Sequence, residues 1–263
     1  MDILKRSLAP VSDQAWDQIE EQAREIFNAF LSARKFVDVE GPKGWDYAAV
    51  STGRIYTPEN QSENVKYGIK QVSPLIEARV SFKLDLWELD NIARGAEDVE
   101  LEAMEKAAID IAKFEENAIY YGFEPSQIKG LKESSEHKAM KYPQNNDEAP
   151  SVFARGINEL KNATVEGPYS LVIGAEKWQS LTAFTKGYPM KKQIEDLIGG
   201  SIIVSQNISE AFLVSERSGD FRLTLGTDLS IGYESHNGKE VQLFFTESFV
   251  FQIFDPSAVI IFD

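Results

Sequence analysis

Residues 99–122 read VELEAMEKAAIDIAKFEENAIYYG and carry the strongest helical signal in the chain. Steps of three and four residues place one apolar stripe along the segment, formed by Leu101, Met104, Ala108, Ile111, Ala112, Ala118 and Ile119. Gly122 ends the pattern, as glycine commonly does at the C-terminus of a helix. The sequence therefore predicts a helix of about 22 residues, roughly 33 Å long, that can serve as the spine of the fold.

Acidic residues are concentrated around this helix. Residues 85–116 contain eleven acidic and three basic side chains, which is typical of a solvated helix face. Two pairs of carboxylates stand out, Glu88 with Asp90 and Glu115 with Glu116. No positioned base or metal ligand accompanies either pair, so we interpret both as solvated or capping groups and not as catalytic acids.

Two further segments have a clear period. Residues 12–31 predict an amphipathic helix with Ser12 as its N-cap. Residues 76–86 alternate between apolar and polar side chains, which predicts a half-buried strand.

Between these segments, residues 41–75 are rich in glycine and proline and hold two short strand-like pieces around the polar tip PENQSEN. They predict a long two-stranded arm, and because an isolated ribbon is marginal in water, the arm indicates contact with a neighbouring molecule.

The second half of the chain has a different pattern of predicted secondary structure. Residues 133–150 are polar and turn-rich and mark a boundary, after which predicted helices and strands alternate. The step SGD at 218–220 predicts a hairpin that joins the strand AFLVSE to the strand FRLTLG. Residues 239–262 are again rich in strand signals.

Composition excludes several classes of protein. The net charge of −15 disfavours binding to nucleic-acid phosphates, and its simplest role is to keep the molecule in solution. The chain has no cysteine, which excludes disulfides, thiolate metal sites and cysteine nucleophiles and fits a cytoplasmic location. No apolar run approaches the roughly 20 residues that a membrane span needs, and no signal peptide is evident.

Catalytic motifs are also missing from the sequence. His137 and His236 lie in polar segments and are interpreted as exposed loop residues, because a zinc site needs several ligands at short spacing. No nucleophile elbow, P-loop or dinucleotide fingerprint is present. Trp87 is a candidate for stacking on a planar ring such as a flavin, with packing as an aromatic anchor as the alternative.

Several longer segments resemble those of encapsulins of the linocin type. They occur in order along nearly the whole chain and include LKRSLAP (4–10), REIF (24–27), RKFVDVEGPKGWDYAAV (34–50), LDLWELDN (84–91), EGPYSLVI (166–173), SERSGDFRLTLGTDLSIGYE (215–234) and FTESFVFQI (245–253). Residues 133–165 carry no such signature. The resemblance implies an α+β fold of the tailed-phage major-capsid type, with an N-terminal helix and a long spine helix. It also implies a peripheral domain of residues 1–48, 75–133 and 226–263, an extended loop of residues 49–74 and an axial domain of residues 134–225.

The resemblance also implies two functional surfaces. A site for the C-terminal targeting peptide of a cargo protein is expected at Phe27, Arg34, Asp38, Val39, Ile231 and Tyr233. There, apolar pockets would take alternate side chains of an extended peptide, and Arg34 and Asp38 would fix its polar groups. Core packing is the alternative role for Phe27 and Val39. The loop Thr185, Lys186, Gly187, Tyr188 and Pro189 matches the family's fivefold pore loop, with an ordinary connection between helices as the alternative.

The function that the resemblance implies is structural. Copies of the chain would form an icosahedral shell, of about 60 copies in the smallest closed form with T=1 symmetry, since equivalent contacts are the simplest route to closure. The usual cargo of the family is a dye-decolourising peroxidase or a ferritin-like iron-oxidising protein, which suggests roles in oxidative stress or iron storage. We expect no catalysis by the shell, no metal, no nucleic acid, no membrane and no cofactor beyond the flavin candidate. The alternatives are a phage major capsid protein that packages DNA and an enzyme of the bacteriocin or protease type.

Overall fold

The computed structural model describes residues 2–62, 64–182 and 189–263. In these residues the helices are α1 (Asp13–Phe30), α2 (Leu86–Ala93), α3 (Glu102–Tyr121), α4 (Leu131–Ser134), α5 (Ala149–Asn162), α6 (Ala175–Thr182) and α7 (Met190–Ile198). The strands are β1 (Asp38–Glu40), β2 (Ala49–Tyr56), β3 (Ile69–Pro74), β4 (Ile76–Asp85), β5 (Tyr169–Gly174), β6 (Gly199–Ser205), β7 (Ala211–Ser215), β8 (Phe221–His236), β9 (Glu240–Ile253) and β10 (Val259–Phe262). Helix and strand are mixed, which confirms the predicted α+β class.

The two predicted long helices form close to their expected bounds. Ser12 caps α1, because its hydroxyl accepts a hydrogen bond from the Ala15 amide at 3.3 Å. α3 ends at Gly122, whose φ of +89° is a left-handed value that glycine adopts without strain. α1 packs against α3, and α3 packs against β4, so the spine helix lies over a sheet.

The first sheet has the strand order β1-β8-β9-β4. β1 runs parallel to β8, and the other neighbours are antiparallel. β4 alternates in burial as its sequence predicts, with Phe82 and Leu84 in the core and Ser81 and Lys83 exposed. This face of the sheet is covered by α3.

The second sheet has the order β10-β7-β5-β6, and it packs against α5, α6 and α7. The predicted hairpin at 218–220 is wrong, because β7 belongs to this sheet and β8 to the first one. The physical reason is that β5 and β10 pair with both edges of β7, so no edge is free for β8. Two strands also fall across the expected domain limits: β8 begins at Phe221 in the first sheet, and β10 lies in the second.

β2 and β3 form a separate two-stranded sheet, which together with its connecting segment we call the arm. The strands pair in an antiparallel register that shifts between Ser51 and Ile55. This confirms the predicted two-stranded excursion. Several large apolar side chains of the arm are exposed in the single chain, namely Ile55, Tyr56, Val65, Tyr67, Ile69 and Val72.

Two hydrophobic cores fill the molecule, and α3 contributes to both. The smaller core lies between α1, the first part of α3 and the first sheet, and includes Trp16, Met104 and Phe245. The larger core surrounds the second sheet and includes Tyr120 and Phe249. Along α3 and β9, three buried acidic residues lie between these cores: Glu115 and Glu116 on α3 and Glu247 on β9.

No helix in the described part of the chain combines the length and the apolar character needed to cross a bilayer.

Candidate functional site

A groove of about 600 Å³ opens between α1, the segment that precedes α1 and strand β8. Its apolar lining comes from Leu4, Ala23, Phe27, Leu31, Leu229 and Ile231. Charged side chains border this lining, namely Arg6, Glu20, Arg24, Arg34, Lys35 and Asp228. An apolar floor with polar edges is the usual form of a site that holds a small molecule or a peptide.

Helical spacing explains why α1 supplies one wall of the groove. Arg24, Phe27, Asn28 and Leu31 recur at steps of three and four residues and therefore share one face. The Phe27 ring packs edge-on against the buried Phe245 ring, with centroids 5.4 Å apart, which fixes its position in the floor. Phe27 is therefore both a groove residue and a neighbour of the smaller core.

The N-terminal segment is attached to both walls. The Tyr233 amide on β8 donates a hydrogen bond to the Leu4 carbonyl at 2.7 Å. Arg6 forms an ion pair with Glu20 at 2.5 Å, and its guanidinium lies 4.3 Å from the centre of the Trp16 ring on α1. These contacts hold residues 4–6 along the edge of the groove.

We call the buried acidic residues Glu115, Glu116 and Glu247 between the two cores, together with Arg34, the charged layer. Arg34 lies where the groove meets this layer. Its Nε and Nη2 donate to the two oxygens of the buried Glu115 at 2.9 and 2.5 Å, a bidentate arrangement. Nη1 donates to Asp228 at 2.8 Å, and Nη2 also lies 3.4 Å from Glu247. Burial alone would lower the pKa of Arg34, but its contacts with Glu115 and Asp228 outweigh burial and raise the pKa above its usual value.

Two other buried acids complete the layer. The Ala33 amide donates to Glu116 at 2.8 Å, and the Ser32 hydroxyl donates to the other oxygen of the same carboxyl group. Burial raises the pKa of Glu116 to about 7, although these hydrogen bonds lower it in part. Burial also raises the pKa of Glu247 well above its usual range; the charge of Glu115 adds to this rise, and the attraction of Arg34 opposes it.

The interpretation of Glu115 and Glu116 as solvated groups is therefore wrong. Both side chains are fully buried. The reason is their register: Glu115 follows Ile111 by four residues and precedes Ile119 by four, so it lies on the buried stripe of α3. Neighbouring Arg34, Ser32 and Ala33 supply the partners that make burial of two carboxyls tolerable.

The residues predicted to bind a cargo peptide fall into two groups. Phe27, Arg34 and Ile231 line the groove, and Tyr233 lies two residues beyond Ile231 on β8. Asp38 and Val39 lie elsewhere, because β1 pairs with β8 at Arg222–Thr224, roughly 20–25 Å of strand away from Ile231. The structure brings the first group together and does not bring Asp38 and Val39 to the same groove.

Asp38 has its own partners, and Val39 is not a core residue. The Asp38 carboxylate accepts hydrogen bonds from the Ser218 hydroxyl at 2.9 Å and from the Gly219 amide at 2.6 Å. It therefore fixes the turn that leads into β8. Val39 is 43% exposed, so the alternative of core packing does not apply to it.

The remaining predicted positions lie away from the groove. Of the loop predicted to line a pore, Thr185, Lys186, Gly187 and Tyr188 fall outside the described residues, and Pro189 is exposed before α7. The Trp87 ring is 71% exposed and lies 5.9 Å from the Arg94 guanidinium, so within this chain it is not a packing anchor. Stacking of a flavin on Trp87 stays a prediction.

The two histidines make local contacts. His236 is exposed at the end of β8, and its Nδ1 lies 2.6 Å from the Tyr233 hydroxyl. His137 is half-buried, with its Nε2 at 2.8 Å from the Ser257 carbonyl. Among the described residues, no group of three or more histidine, aspartate or glutamate side chains has the arrangement of a metal site.

Sequence reasoning missed Leu4, Arg24, Lys35, Asp228 and Leu229 as groove residues. The signal for Arg24 was present, since it shares the helical face of Phe27 and Leu31. Leu4 and the pair Asp228–Leu229 had no such signal, because only the folded chain brings β8 beside the N-terminal segment.

Known proteins match this chain over most of its length. The family model described as "Encapsulating protein for peroxidase" matches residues 1–250. The type 1 encapsulin shell protein of Mycolicibacterium paratuberculosis is 38% identical over 261 residues, which cover 99% of this chain and 98% of that protein.

Solved structures show the same fold at low identity. The crystal structure of a virus-like particle from Pyrococcus furiosus matches with a TM-score of 0.69 and 18% identity, over 94% of this chain and 98% of that one. The capsid of Myoviridae phage XM1 matches with a TM-score of 0.50 and 11% identity, over 88% of this chain and 91% of that one. The predicted fold of the phage major-capsid type is thereby confirmed.

Proposed function

The chain belongs to the family of encapsulin shell proteins, and from this membership we propose that its groove binds the C-terminal targeting peptide of an enclosed cargo enzyme. The protein is a structural subunit that assembles with copies of itself into a capsid-like particle, and it is not an enzyme. The family assignment also sets aside the bacteriocin or protease alternative and the DNA-packaging capsid.

One observation carries the proposal. Among the described residues, α1 and β8 together offer apolar side chains along an open channel, with Phe27 and Ile231 in its lining. An extended peptide that lies in such a channel buries every second side chain and leaves the others free. The groove's apolar lining with charged borders suits an extended chain segment, which presents apolar and polar side chains in turn.

We propose a peroxidase as the cargo, since the family model is described as an encapsulating protein for peroxidase. A ferritin-like iron-oxidising protein is the second cargo class that the family resemblance implies. Enclosure of a peroxidase would link the shell to oxidative stress, and enclosure of an iron-oxidising protein would link it to iron storage. Both would be cytoplasmic functions.

The proposed shell has about 60 copies in T=1 symmetry, the smallest closed icosahedral form. In this shell, the exposed apolar side chains of the arm are covered by neighbouring copies. Residues 185–189 are proposed to line the fivefold pore. The groove is proposed to face the interior.

Co-expression with a tagged reporter tests the cargo proposal. A fluorescent protein that carries the C-terminal peptide of a candidate peroxidase is expressed with the shell protein, and particles are purified by size exclusion and imaged by negative-stain electron microscopy. We expect closed particles that contain the reporter. The Phe27→Ala variant should form the same particles without the reporter, because the floor of the groove is lost.

Phe254→Ala is the matched control, since Phe254 is an exposed phenylalanine that does not line the groove. This variant should retain the reporter. Retention of the reporter by Phe27→Ala particles would show that the peptide binds elsewhere, and a chain that stays monomeric or dimeric would contradict the shell itself.

A further inference from the structure

We infer that Gly226 on β8 sets the direction in which the arm leaves the subunit, and that this direction decides whether copies assemble into particles of the normal size. Gly226 is thus a positioning residue for assembly. The inference rests on the proposed covering of the arm by neighbouring copies, since the direction of an arm that contacts no other copy would not affect assembly.

Gly226 is the extra residue of a bulge in β8. Leu225 pairs with Phe249, and Thr227 pairs with Ser248. The described pairing therefore gives Gly226 no partner of its own on β9. A bulge bends the strand locally and leaves the extra residue outside the ladder, so the backbone of β8 can bind another segment at this point.

The segment that leads into the arm binds here. The Lys43 amide donates a hydrogen bond to the Leu225 carbonyl at 2.9 Å. The Gly44 amide donates to the Gly226 carbonyl at 2.8 Å, and the Tyr47 amide donates to the Gly44 carbonyl at 3.2 Å. These hydrogen bonds fix the chain against the bulge just before β2 begins.

The two ends of the arm meet beside Gly226. Tyr47 and Ala48 precede β2, Leu75 joins β3 to β4, and we call these three residues the root of the arm. The Leu75 amide donates to the Ala48 carbonyl at 2.9 Å, which ties the two ends together. A Cβ placed on Gly226 would lie 2.8 Å from the Leu75 Cδ2 and 3.3 Å from the Tyr47 carbonyl oxygen, so it would touch both ends.

Space, and not backbone conformation, requires glycine at this position. Gly226 does not have a left-handed φ. A Cβ there would also lie 2.5 Å from the Ser248 hydroxyl, which accepts a hydrogen bond from the Thr227 amide at 2.8 Å. The Leu75 side chain packs against the larger core, and the Tyr47 contact is with a backbone atom, so an added methyl group would displace the root.

A small displacement at the root becomes a large one at the far end of the arm. The eight residues of β2 extend roughly 26 Å from the root, at about 3.3 Å per residue. A displacement of about 1 Å across the roughly 4.8 Å between the two strands turns the arm by about 12° and moves its far end by roughly 5 Å. A gap of about 1 Å already removes up to about half of a packing contact, so the exposed apolar side chains would no longer meet the same neighbour.

Distances between spin labels measure the direction of the arm in the unassembled subunit. The chain has no cysteine, so cysteine pairs can be introduced for labelling. One label is placed at Glu59 in the arm and the other at Asp17 on α1 or Glu159 on α5, all of which are exposed. Val72→Asp, which puts a charge on the exposed apolar face of the arm, keeps these samples unassembled. We expect Gly226→Ala to change at least one distance by roughly 5 Å.

Assembly is measured without the labels and without Val72→Asp, by size exclusion and negative-stain electron microscopy. Gly226→Ala should lose particles of the normal diameter, to free subunits or to particles of another size, with an unchanged fold by circular dichroism. Gly238→Ala is the matched control, because it also lacks a left-handed φ but its Cβ would have no described atom within 4 Å. It should form normal particles with unchanged distances.

A second variant applies if Gly226→Ala does not fold. Adding Ser248→Ala removes the hydroxyl that the new Cβ meets inside the sheet and keeps its contacts with Leu75 and Tyr47 at the root. This double variant should show the same change in arm direction and in assembly, with Ser248→Ala alone as its control.

The outcomes separate the two proposals. Unchanged distances in the folded variant would overturn the inference, whatever its assembly. Changed distances together with normal particles would overturn the link between arm direction and assembly and leave the arm contact intact. If Val72→Asp itself forms normal particles, the proposed contact of the arm with neighbouring copies fails, and this inference fails with it.

Discussion

Arg34 shows how one side chain can hold a charged layer inside an apolar fold. Its guanidinium is paired with the fully buried Glu115, so its removal leaves that buried carboxylate without a counter-charge. Breaking a buried ion pair from one side costs more than an exposed pair contributes, because the remaining charge is neither solvated nor neutralised.

We therefore expect Arg34→Ala to lower the free energy of unfolding by about 3–5 kcal/mol. Lys35→Ala changes the next residue, an exposed one without an ion pair in the described part of the chain, and should lower it by less than about 0.5 kcal/mol. Denaturant unfolding of both variants, followed by tryptophan fluorescence, measures the difference. Equal stability of the two variants would show that the layer does not need this cation.

Glu116 should make stability depend on pH. Its pKa rises from 4.5 to about 7 on folding, so between these values the folded chain binds more protons than the unfolded chain. The contribution is present below pH 4.5 and is lost as pH rises through about 7, with a size on the order of 3 kcal/mol. Glu247, whose pKa is also raised, acts in the same direction.

The Glu116→Gln variant checks this expectation. A neutral amide can still accept the hydrogen bond of the Ala33 amide, and it cannot ionise. Its free energy of unfolding should fall less between pH 4.5 and pH 7 than that of the unchanged protein. The same slope in both proteins would show that Glu116 does not change its protonation on folding.

The burial of Glu115 could be predicted from the sequence, but the residues that contact it could not. Glu115 occurs at a position where the apolar period of α3 calls for a core residue, and this register was a readable signal of burial. Arg34, Asp228 and Glu247 carry no comparable signal. They lie on three other segments, and only the tertiary fold brings them to Glu115.

At the scale of elements, the end of α3 depends on a single glycine. Gly122 has a φ of +89°, and a Cβ placed there would lie 2.8 Å from the Ile128 carbonyl oxygen and 2.9 Å from the Gly130 nitrogen. These are backbone atoms, which cannot move aside without a shift of the chain. Gly122 therefore meets both a conformational and a steric requirement.

Gly122→Ala should destabilise the fold by about 2 kcal/mol or more, from left-handed strain and a steric clash together. Gly95→Ala is its control, because Gly95 has a similar φ of +93° but nothing within 4 Å of its Cβ position. It should cost only about 1 kcal/mol, the strain alone. Thermal unfolding of both variants at equal protein concentration would reveal the difference, and equal losses would contradict the steric part.

Helices and strands that have a regular repeat of apolar residues along their own sequence were predictable. The sheet to which a strand belongs was not, because it depends on pairing with other strands. α1, α3 and β4 appear close to their predicted ranges because each has a continuous apolar stripe that can be read locally. The connection at 218–220 has the composition of a tight turn, and it does contain a left-handed Gly219. Its flanking strands nevertheless pair in different sheets, because β7 pairs on its two edges with β5 and β10, which are distant from it in sequence, whereas β8 pairs with the next strand, β9.

At the scale of the whole molecule, the arm is the part whose apolar side chains remain exposed in a single chain. Val72 is 54% exposed on β3, whereas the side chain of its neighbour Gln71 lies on the opposite face of the strand. The arm pairs only with itself in the described structure. Its apolar side chains therefore remain available for other copies.

Val72→Asp should prevent or weaken assembly and leave the fold of the subunit unchanged, because a charge would be buried against a neighbour. Gln71→Asp, one residue away, should still assemble. Analytical size exclusion gives the assembly state, and circular dichroism gives the fold. Particles of normal size from Val72→Asp would exclude this face of the arm from the interface.

The groove was predicted only in part, because it depends on contacts between segments that are distant in sequence, as does the pairing of β7 and β8. The resemblance gave Phe27, Arg34 and Ile231, which do meet, but also Asp38 and Val39, which lie further along the first sheet. The exposed cations Arg24 and Lys35 could not be distinguished from Arg34 in the sequence. Which basic residue is neutralised depends on contacts that only the folded chain contains.

The chain passes between the two sheets twice at neighbouring places, between β7 and β8 and again between β9 and β10. The Phe254 amide donates to the Asp220 carbonyl at 2.8 Å, and Arg217 joins the Asp220 and Asp255 carboxylates at 2.8 and 2.5 Å. These contacts tie the two crossings together, because one guanidinium group bridges carboxylates on both of them. We expect the two sheets to keep their relative orientation when the subunit enters a particle, since a rotation of one sheet against the other would break the ion pairs of Arg217.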